Sequence, residues 1–439
     1  MRRYRLLLFA IATSLAANPA QALEASGPAG LSRSDLEPTG SVTLARALDA
    51  ALERNPELVA AGAEVAIGDA RAVQVGLWPN PEISTEIEDV AGSGSYGGWD
   101  SGQTTISLAQ LIELGGKRSK RRRVAELERD LVAWDYQARR LDLLGQVAQA
   151  FVRTLAAQER LSLADDFLRI ASESARTVST SVRTGAVSRV EETRALATLS
   201  RANAERVASE NSLAAARIAL ATTWGSADPR FDAVTGDLAQ LEPIAPLEKL
   251  IAMLEANPDL ARWEAERAQR RAALALEKAR RLPDVTLAAG GRQYAETGDG
   301  AAVFSFAVPL PLFDRNQGNI LAAERAASQA VERERAARVA AVAAIRSDHA
   351  ALTTALRQAT ELRENAIPQA RQTHEGALAA YARGLFRYLE VLDAQRTLYE
   401  LRAEYIDVLE QYHFAAVAID RLTGIAAATS TAKEASDTE

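Results

Sequence analysis

Two stretches of this 439-residue chain carry the same landmarks about 200 residues apart. Asn55-Pro56-Glu57-Leu58 is answered by Asn257-Pro258-Asp259-Leu260, an offset of 257 − 55 = 202. Ser107, in a short alternating run, is answered by Ser305, and Ala125-Glu126 by Ala323-Glu324, both at 198. Gly185 and Gly384 each end a long Ala-rich run, and Trp224-Gly225 is answered by Thr423-Gly424, both at 199. A unit of this size far exceeds the roughly 20–50 residues of a solenoid repeat, so it reads as a duplicated half-domain. One pseudo-symmetric domain is therefore expected, not the roughly three that length alone would give.

The chain opens as an exported protein does. Arg2, Arg3 and Arg5 precede an apolar run from Leu6 to Ala17, and Ala20-Gln21-Ala22 has the small-x-small form of a cleavage site, so residues 1–22 read as a signal peptide. The sequence has no cysteine, which excludes disulfides and an N-terminal lipidated cysteine. No stretch offers the roughly 20 apolar residues of a spanning helix, which leaves β-strands as the route into a membrane. The net charge of −7 gives no global attraction to nucleic acid, and no nucleic-acid partner is expected.

Residues 23–41, rich in Gly, Pro and Ser, read as a flexible lead-in. The first repeat is assigned to 42–225, a linker to 226–245, the second repeat to 246–425 and a disordered polar tail to 426–439. Within each repeat, a helix broken at Asn-Pro leads to a hairpin, then to a very long helix, a glycine turn and a return helix. Period-2 alternation marks the strands. Ile83, Thr85 and Ile87 share one face of Glu82–Val90, and Glu82, Ser84, Glu86 and Glu88 share the other. In the second copy Val285, Leu287, Ala289, Phe304, Phe306, Val308 and Leu310 form the apolar face. Lys117 to Arg183 holds one glycine and no proline and predicts a single helix. Pro368 and Gly376 predict a local bend in the matching stretch from Asn319 to Arg383.

Four strands with one apolar face cannot close a barrel, since small barrels need about eight. An open edge in lipid leaves backbone groups unpaired at several kcal/mol each. Either the strands avoid the membrane or several chains share one barrel. Three chains would supply twelve strands in pseudo-sixfold packing.

The signal peptide, the duplicated plan and the second turn, Gly384-Leu385-Phe386-Arg387-Tyr388-Leu389-Glu390-Val391-Leu392-Asp393-Ala394, resemble the TolC family of outer-membrane efflux channels. Trp78-Pro79-Asn80-Pro81-Glu82 and Gln110-Leu111-Ile112-Glu113-Leu114-Gly115-Gly116-Lys117-Arg118 are similar to its cobalt–zinc–cadmium resistance branch. The resemblance implies a mainly α fold with a small β part, in which two repeats of long antiparallel helices each carry a β-hairpin. It implies a homotrimer with a 12-stranded outer-membrane barrel and a periplasmic α-helical tunnel. It further implies a periplasmic adaptor (membrane fusion protein), an inner-membrane pump of the resistance–nodulation–division type and outer-membrane lipid as partners. The implied activity is passive export of divalent heavy-metal cations. Drugs, other organic compounds or polypeptides are the alternative cargo. A periplasmic coiled-coil scaffold is the alternative of another class.

Glu390 and Asp393 lie three apart on one helical face and match family positions that constrict the closed pore. They would form carboxylate rings in a trimer, or else merely favour the helix macrodipole near its start. Arg183, Gly185 and Arg189, with Arg383, Gly384, Leu385, Phe386 and Arg387, form the two turns. The exposed apolar pair Leu385 and Phe386 makes these tips the candidate adaptor-docking surface. Glu82, Glu86 and Glu88 are candidate barrel-lumen carboxylates. The basic run Lys117-Arg118-Ser119-Lys120-Arg121-Arg122-Arg123 reads as a strand-to-helix junction. His349, His374 and His413 lack ligand spacing, so no metal site and no cofactor are expected. With no phosphate loop, nucleophile elbow or His-centred triad, no enzyme activity is expected.

Overall fold

The computed structural model describes residues 37–185 and 187–424. Residues 1–22, read above as a signal peptide, most of the lead-in and the tail 426–439 lie outside them. The element order is β1 (Gly40–Val42), α1 (Leu44–Arg54), α2 (Pro56–Val75), β2 (Glu82–Glu88), β3 (Gln103–Ile112), α3 (Lys117–Arg183), α4 (Arg189–Thr222), β4 (Phe231–Val234), α5 (Leu247–Met253), α6 (Pro258–Arg280), β5 (Val285–Tyr294), β6 (Gly300–Ala307), α7 (Gln317–Glu361), α8 (Ile367–Ala382) and α9 (Tyr388–Thr423).

The expected helix Lys117–Arg183 forms as one piece of 67 residues. At 1.5 Å per residue it runs about 100 Å. It stands because other helices flank it along its length: α2 and α6 towards one end, α4 and α9 towards the other. Alanine at Ala156, Ala164, Ala171 and Ala202 lets these helices approach closely, and all four are buried.

The two Asn-Pro landmarks do corresponding work. Asn55 caps α2 by accepting from the Leu58 amide at 2.8 Å, and its Nδ2 donates to the Thr223 carbonyl at 2.9 Å. Asn257 accepts from the Asp259 amide at 2.8 Å, and its Nδ2 donates to the Arg421 and Leu422 carbonyls, each at 2.9 Å. Each asparagine thus starts one helix and satisfies orphan carbonyls where the return helix α4 or α9 ends. Proline at the first helical position costs nothing there, because its missing N–H would have no intrahelical partner.

Three features depart from the sequence reading. The stretch read as a linker contributes β4, which pairs in parallel with β1 from the end of the lead-in. Val42, Trp224, Phe231 and Val234 bury themselves around that small sheet, tying the start of the first repeat to its end. The bend anticipated around Pro368 and Gly376 appears as a π-helical turn at Leu362–Ala366. It ends two residues before Pro368, whose ring and missing N–H disturb the preceding turn, while Gly376 stays inside α8. Strand β6 stops at Ala307, so Val308 and Leu310 lie beyond it; Pro309 and Pro311 cannot donate to a ladder.

Asp420, on α9, is half-buried. Burial, with Glu242 nearby, pushes its carboxyl up to about 6. A carboxyl with a folded pKa above its unfolded value near 4 costs stability as pH rises between those two values and costs nothing below both. Asp420→Asn should therefore stabilise the protein by about 2 kcal/mol at pH 7 and by nothing measurable at pH 3. Thermal unfolding in detergent, followed by tryptophan fluorescence at the two pH values, checks this.

Candidate functional site

The two hairpins join into one four-stranded antiparallel sheet in the order β2-β3-β5-β6. The alternation in sequence becomes two chemically distinct faces. Ile83, Ile87, Ile106, Leu108, Leu287, Phe304 and Phe306 share one face and are exposed, Phe304 at 82% and Phe306 at 69%. An apolar face that open belongs against lipid or another apolar surface. The inner strands β3 and β5 have ten residues each, near the length that crosses a bilayer at barrel tilt. The outer strands β2 and β6 have seven and eight, each having a partner on only one side.

The opposite face is polar. Ser84 and Ser107 hydrogen-bond through their hydroxyls at 2.8 Å. Arg292 reaches across three strands, donating to Thr105 Oγ1 at 2.8 Å, Gln103 Oε1 at 2.8 Å and Glu88 Oε2 at 3.0 Å. Of the three candidate lumen carboxylates, Glu88 is thus charge-paired. Glu82 and Glu86 have no ion-pair partner among the described residues. The pairing of Arg292 was not legible in the sequence. The contact depends on the register of β3 with β5, which joins residues 189 apart.

At the foot of the sheet the basic run secures the junction. Lys117 Nζ pairs with Asp284 at 2.8 Å, and Arg121 forms a two-pronged pair with Glu113. Arg118 and Arg121 donate to the Gly76 and Val75 carbonyls at the end of α2, each at 3.2 Å, and Arg118 lies 4.5 Å over the Trp78 ring. Cations are favoured at a helix C-terminus, which suits Arg118 and Arg121 to the end of α2.

At the far end, the two glycine turns come together. Gly185 and Gly384 adopt φ of +77° and +74°, a left-handed conformation that glycine adopts without steric cost. Leu385 N–H closes the second turn on the Ala380 carbonyl at 2.9 Å. Arg183 and Arg383 fold back onto their own helices, through Thr180 Oγ1 at 3.2 Å and the Ala379 carbonyl at 3.0 Å. Arg189 opens α4, and Arg387 occupies the N-cap of α9 without a side-chain capping bond. Val178, Ala195, Ala377, Tyr388 and Val391 form a small buried cluster that fixes one hairpin of helices against the other. Leu385 and Phe386 project from it, 70% and 49% exposed. Leu389, on the first turn of α9, lines the same groove as Phe386 and is exposed, as is Val190 at the start of α4; the sequence reading missed both.

Glu390 and Asp393 stand exposed on the first turns of α9. Both line a groove of about 510 Å³ between α8 and α9, floored by Ala370, Thr373 and Ala377. Asp393 accepts from Arg396 at 2.8 Å, so within one chain Glu390 is the barer of the two. Beside them a cleft of about 160 Å³ lies between α9 and the α3–α4 pair, where Phe167 and Tyr399 stack 4.6 Å apart. Burial, assisted by Glu205, pushes the Tyr399 hydroxyl up to about 12, which keeps it protonated.

Among the described residues no three of His, Asp and Glu stand close enough to hold a metal ion. His374 is buried at the tip, and burial lowers its pKa against the opposing influence of Glu375. His413 meets the Leu238 carbonyl at 2.8 Å. Among the described helices none is long and apolar enough to cross a membrane.

The outer membrane efflux protein family model matches residues 47–226 and again 251–425, one match per repeat. The cobalt-zinc-cadmium resistance protein CzcC of Cupriavidus metallidurans is 36% identical over 97% of this chain and 100% of its own length. The nickel and cobalt resistance protein CnrC of the same organism is 31% identical over 64% of this chain and 66% of its own. Among solved structures, that of CusC superposes with a TM-score of 0.74 at 20% identity, covering 88% of this chain and 93% of the other. At that identity the superposition speaks for the fold alone.

Proposed function

Because the chain belongs to the outer membrane efflux protein family, we propose that it is the outer-membrane duct of a tripartite efflux system that exports divalent heavy-metal cations of the cobalt–zinc–cadmium kind. The similarity to CzcC over the whole length of both chains carries the metal assignment. The two-faced sheet and the long helix carry the duct: an apolar face for lipid, a polar face for water and ions, and α3, about 100 Å long, to cross the periplasm. Four strands fall short of a closed barrel, and three copies supply twelve. The duct consumes no energy. An inner-membrane pump of the resistance–nodulation–division type supplies it, and a periplasmic adaptor bridges the two, meeting the apolar tip at Leu385 and Phe386.

Glu390 and Asp393 serve in this reading as the carboxylate constriction near the tip. Rings of carboxylates admit and retain cations while resisting anions. The pairing of Asp393 with Arg396 tempers its charge and leaves Glu390 the larger share.

A deletion strain complemented in trans tests both levels. Growth should fail on zinc, cobalt or cadmium and recover with the intact gene, while dyes, bile salts and antibiotics leave it unaffected. Sensitivity to organic compounds alone would keep the duct and remove the metal, a result in line with the 25% identity to a pyoverdine export outer membrane protein, OpmQ of Pseudomonas putida. In planar bilayers, Glu390→Ala with Asp393→Ala should raise the resting conductance and weaken block by multivalent cations. Unchanged conductance and block would remove the gate assignment.

A further inference from the structure

Every layer of the molecule is a row of four elements whose centre is a contact between the two repeats. The sheet reads β2-β3-β5-β6, centred on β3·β5. The helices beneath it read α2-α3-α6-α7, centred on α3·α6. Each row ends on first-repeat elements at one side (β2, α2) and second-repeat elements at the other (β6, α7). Those end elements are the repeat-equivalents of the elements at the centre. The contact already made inside the chain is therefore a template for the contact between copies.

The template fixes a register. Across β3 and β5 the paired residue numbers add to 397, from Gln103 with Tyr294 to Ile112 with Val285. The repeat offset is 198 from β3 to β6 (Ser107 to Ser305) and 202 from β2 to β5 (Pro81 to Pro283). Across the seam the sum becomes 397 + 198 − 202 = 393. Ser305 then faces Glu88 of the neighbouring copy and Ala307 faces its Glu86; continued past the end of β6, the same sum brings Pro311 level with its Glu82. This register keeps the inward-facing Ser305 and Ala307 with the inward-facing Glu88 and Glu86 and sets the exposed Phe306 beside Ile87 on the outer face. A slip by one residue would reverse every face.

Resting on the shared-barrel reading above, we infer that Arg315 of one copy pairs with Glu82 of the next. Inside the chain, Lys117 pairs with Asp284 at 2.8 Å at the foot of the sheet. Shifting Lys117 by 198 gives Arg315, and shifting Asp284 back by 202 gives Glu82. The placement of the Arg315 side chain agrees with that register. The Arg315 guanidinium already donates to the Pro311 carbonyl at 3.3 Å and the Leu312 carbonyl at 3.5 Å, beside the position that Glu82 of the neighbour takes. The helical ends agree: Val59, Ile67 and Val73 on α2 and Leu321, Val331 and Val339 on α7 are large apolar side chains left exposed in a single chain. With Glu88 held by Arg292 and Glu82 by Arg315 of the neighbour, Glu86 is left as the bare carboxylate of the barrel wall.

The chain contains no cysteine, so introduced thiols report alone. Oxidation in membranes should convert Glu86→Cys/Ala307→Cys into a covalent ladder ending at the trimer. Ser84→Cys/Ala307→Cys and Glu88→Cys/Ala307→Cys, each shifted by two residues, should stay monomeric in denaturing gels. Arg315→Glu should lower the temperature at which detergent-resistant trimers dissociate, and adding Glu82→Arg should restore it. A ladder from a shifted pair in place of the first overturns the register; a charge swap that fails to rescue overturns the ion pair. In both cases a trimeric wild type, sized in mild detergent, leaves the shared-barrel reading standing. A monomeric wild type removes both.

Discussion

Gly290→Val is expected to abolish the assembled barrel. A Cβ at position 290 would stand 2.2 Å from the Ile106 carbonyl oxygen and 2.7 Å from Ser107 Cα, both backbone atoms of the facing strand. Backbone cannot rotate aside as a side chain can, so β3 and β5 would have to part. These strands are the only ladder joining the two hairpins among the described residues. Overpacking in a well-packed interior costs about 1–3 kcal/mol, and parting a ladder adds backbone groups left without partners in lipid at several kcal/mol each. The variant should be missing from the detergent-extracted outer-membrane fraction, with the chain recovered as periplasmic aggregate or degraded. Gly291, one residue on, has open space where its Cβ would lie and faces the other side of the sheet. Gly291→Ala should insert at the wild-type level. Wild-type insertion of Gly290→Val would show that the close approach of the strands is dispensable.

Asn257→Ala is expected to loosen the second repeat where α6 begins and α9 ends. The residue is 2% exposed, and all three of its side-chain hydrogen bonds go to backbone. Loss of a helix cap costs about 1 kcal/mol, and carbonyls left buried without donors add about 1–3 kcal/mol, so a loss of about 2–4 kcal/mol is expected. Asn257→Asp separates the two roles, keeping the cap acceptor while removing the donors to Arg421 and Leu422. It also adds a carboxylate opposite carbonyl oxygens, so it should fall no better than midway between wild type and alanine. Asn55→Ala should follow the same course in the first repeat with a smaller loss, since its amide serves one carbonyl, not two. Thermal unfolding midpoints in detergent rank the four proteins. A midpoint for Asn257→Ala equal to wild type would leave the repeated Asn-Pro without a structural purpose.

The elements that sequence made legible are those with strong local periodicity. The 67-residue helix from Lys117 to Arg183 was readable end to end because it lacks proline and is bounded by the Gly-Gly at 115–116 and the turn glycine at 185. The strand faces were readable because residues two apart share a face whatever the partner strand. The short β1·β4 pair was not readable. Its strands have three and four residues and join positions about 190 apart, so neither carries a period long enough to notice. Among the candidate site residues, sequence picked out the carboxylates but not their fates. Glu88 meets Arg292 only through strand register, and Asp393 is tempered by Arg396, a pair visible in sequence only once the helix is assumed.

By itself the sequence determined the duplication, the division into long helices and hairpins, and the two-faced character of the strands. All of these follow from local propensity and spacing, which need no knowledge of what packs against what. The tertiary structure alone decided that the hairpins join as β2-β3-β5-β6, that the two tips meet in one small core, and that Arg292 spans three strands. Each of these joins residues far apart in the chain, where register and packing, not local preference, select the partner.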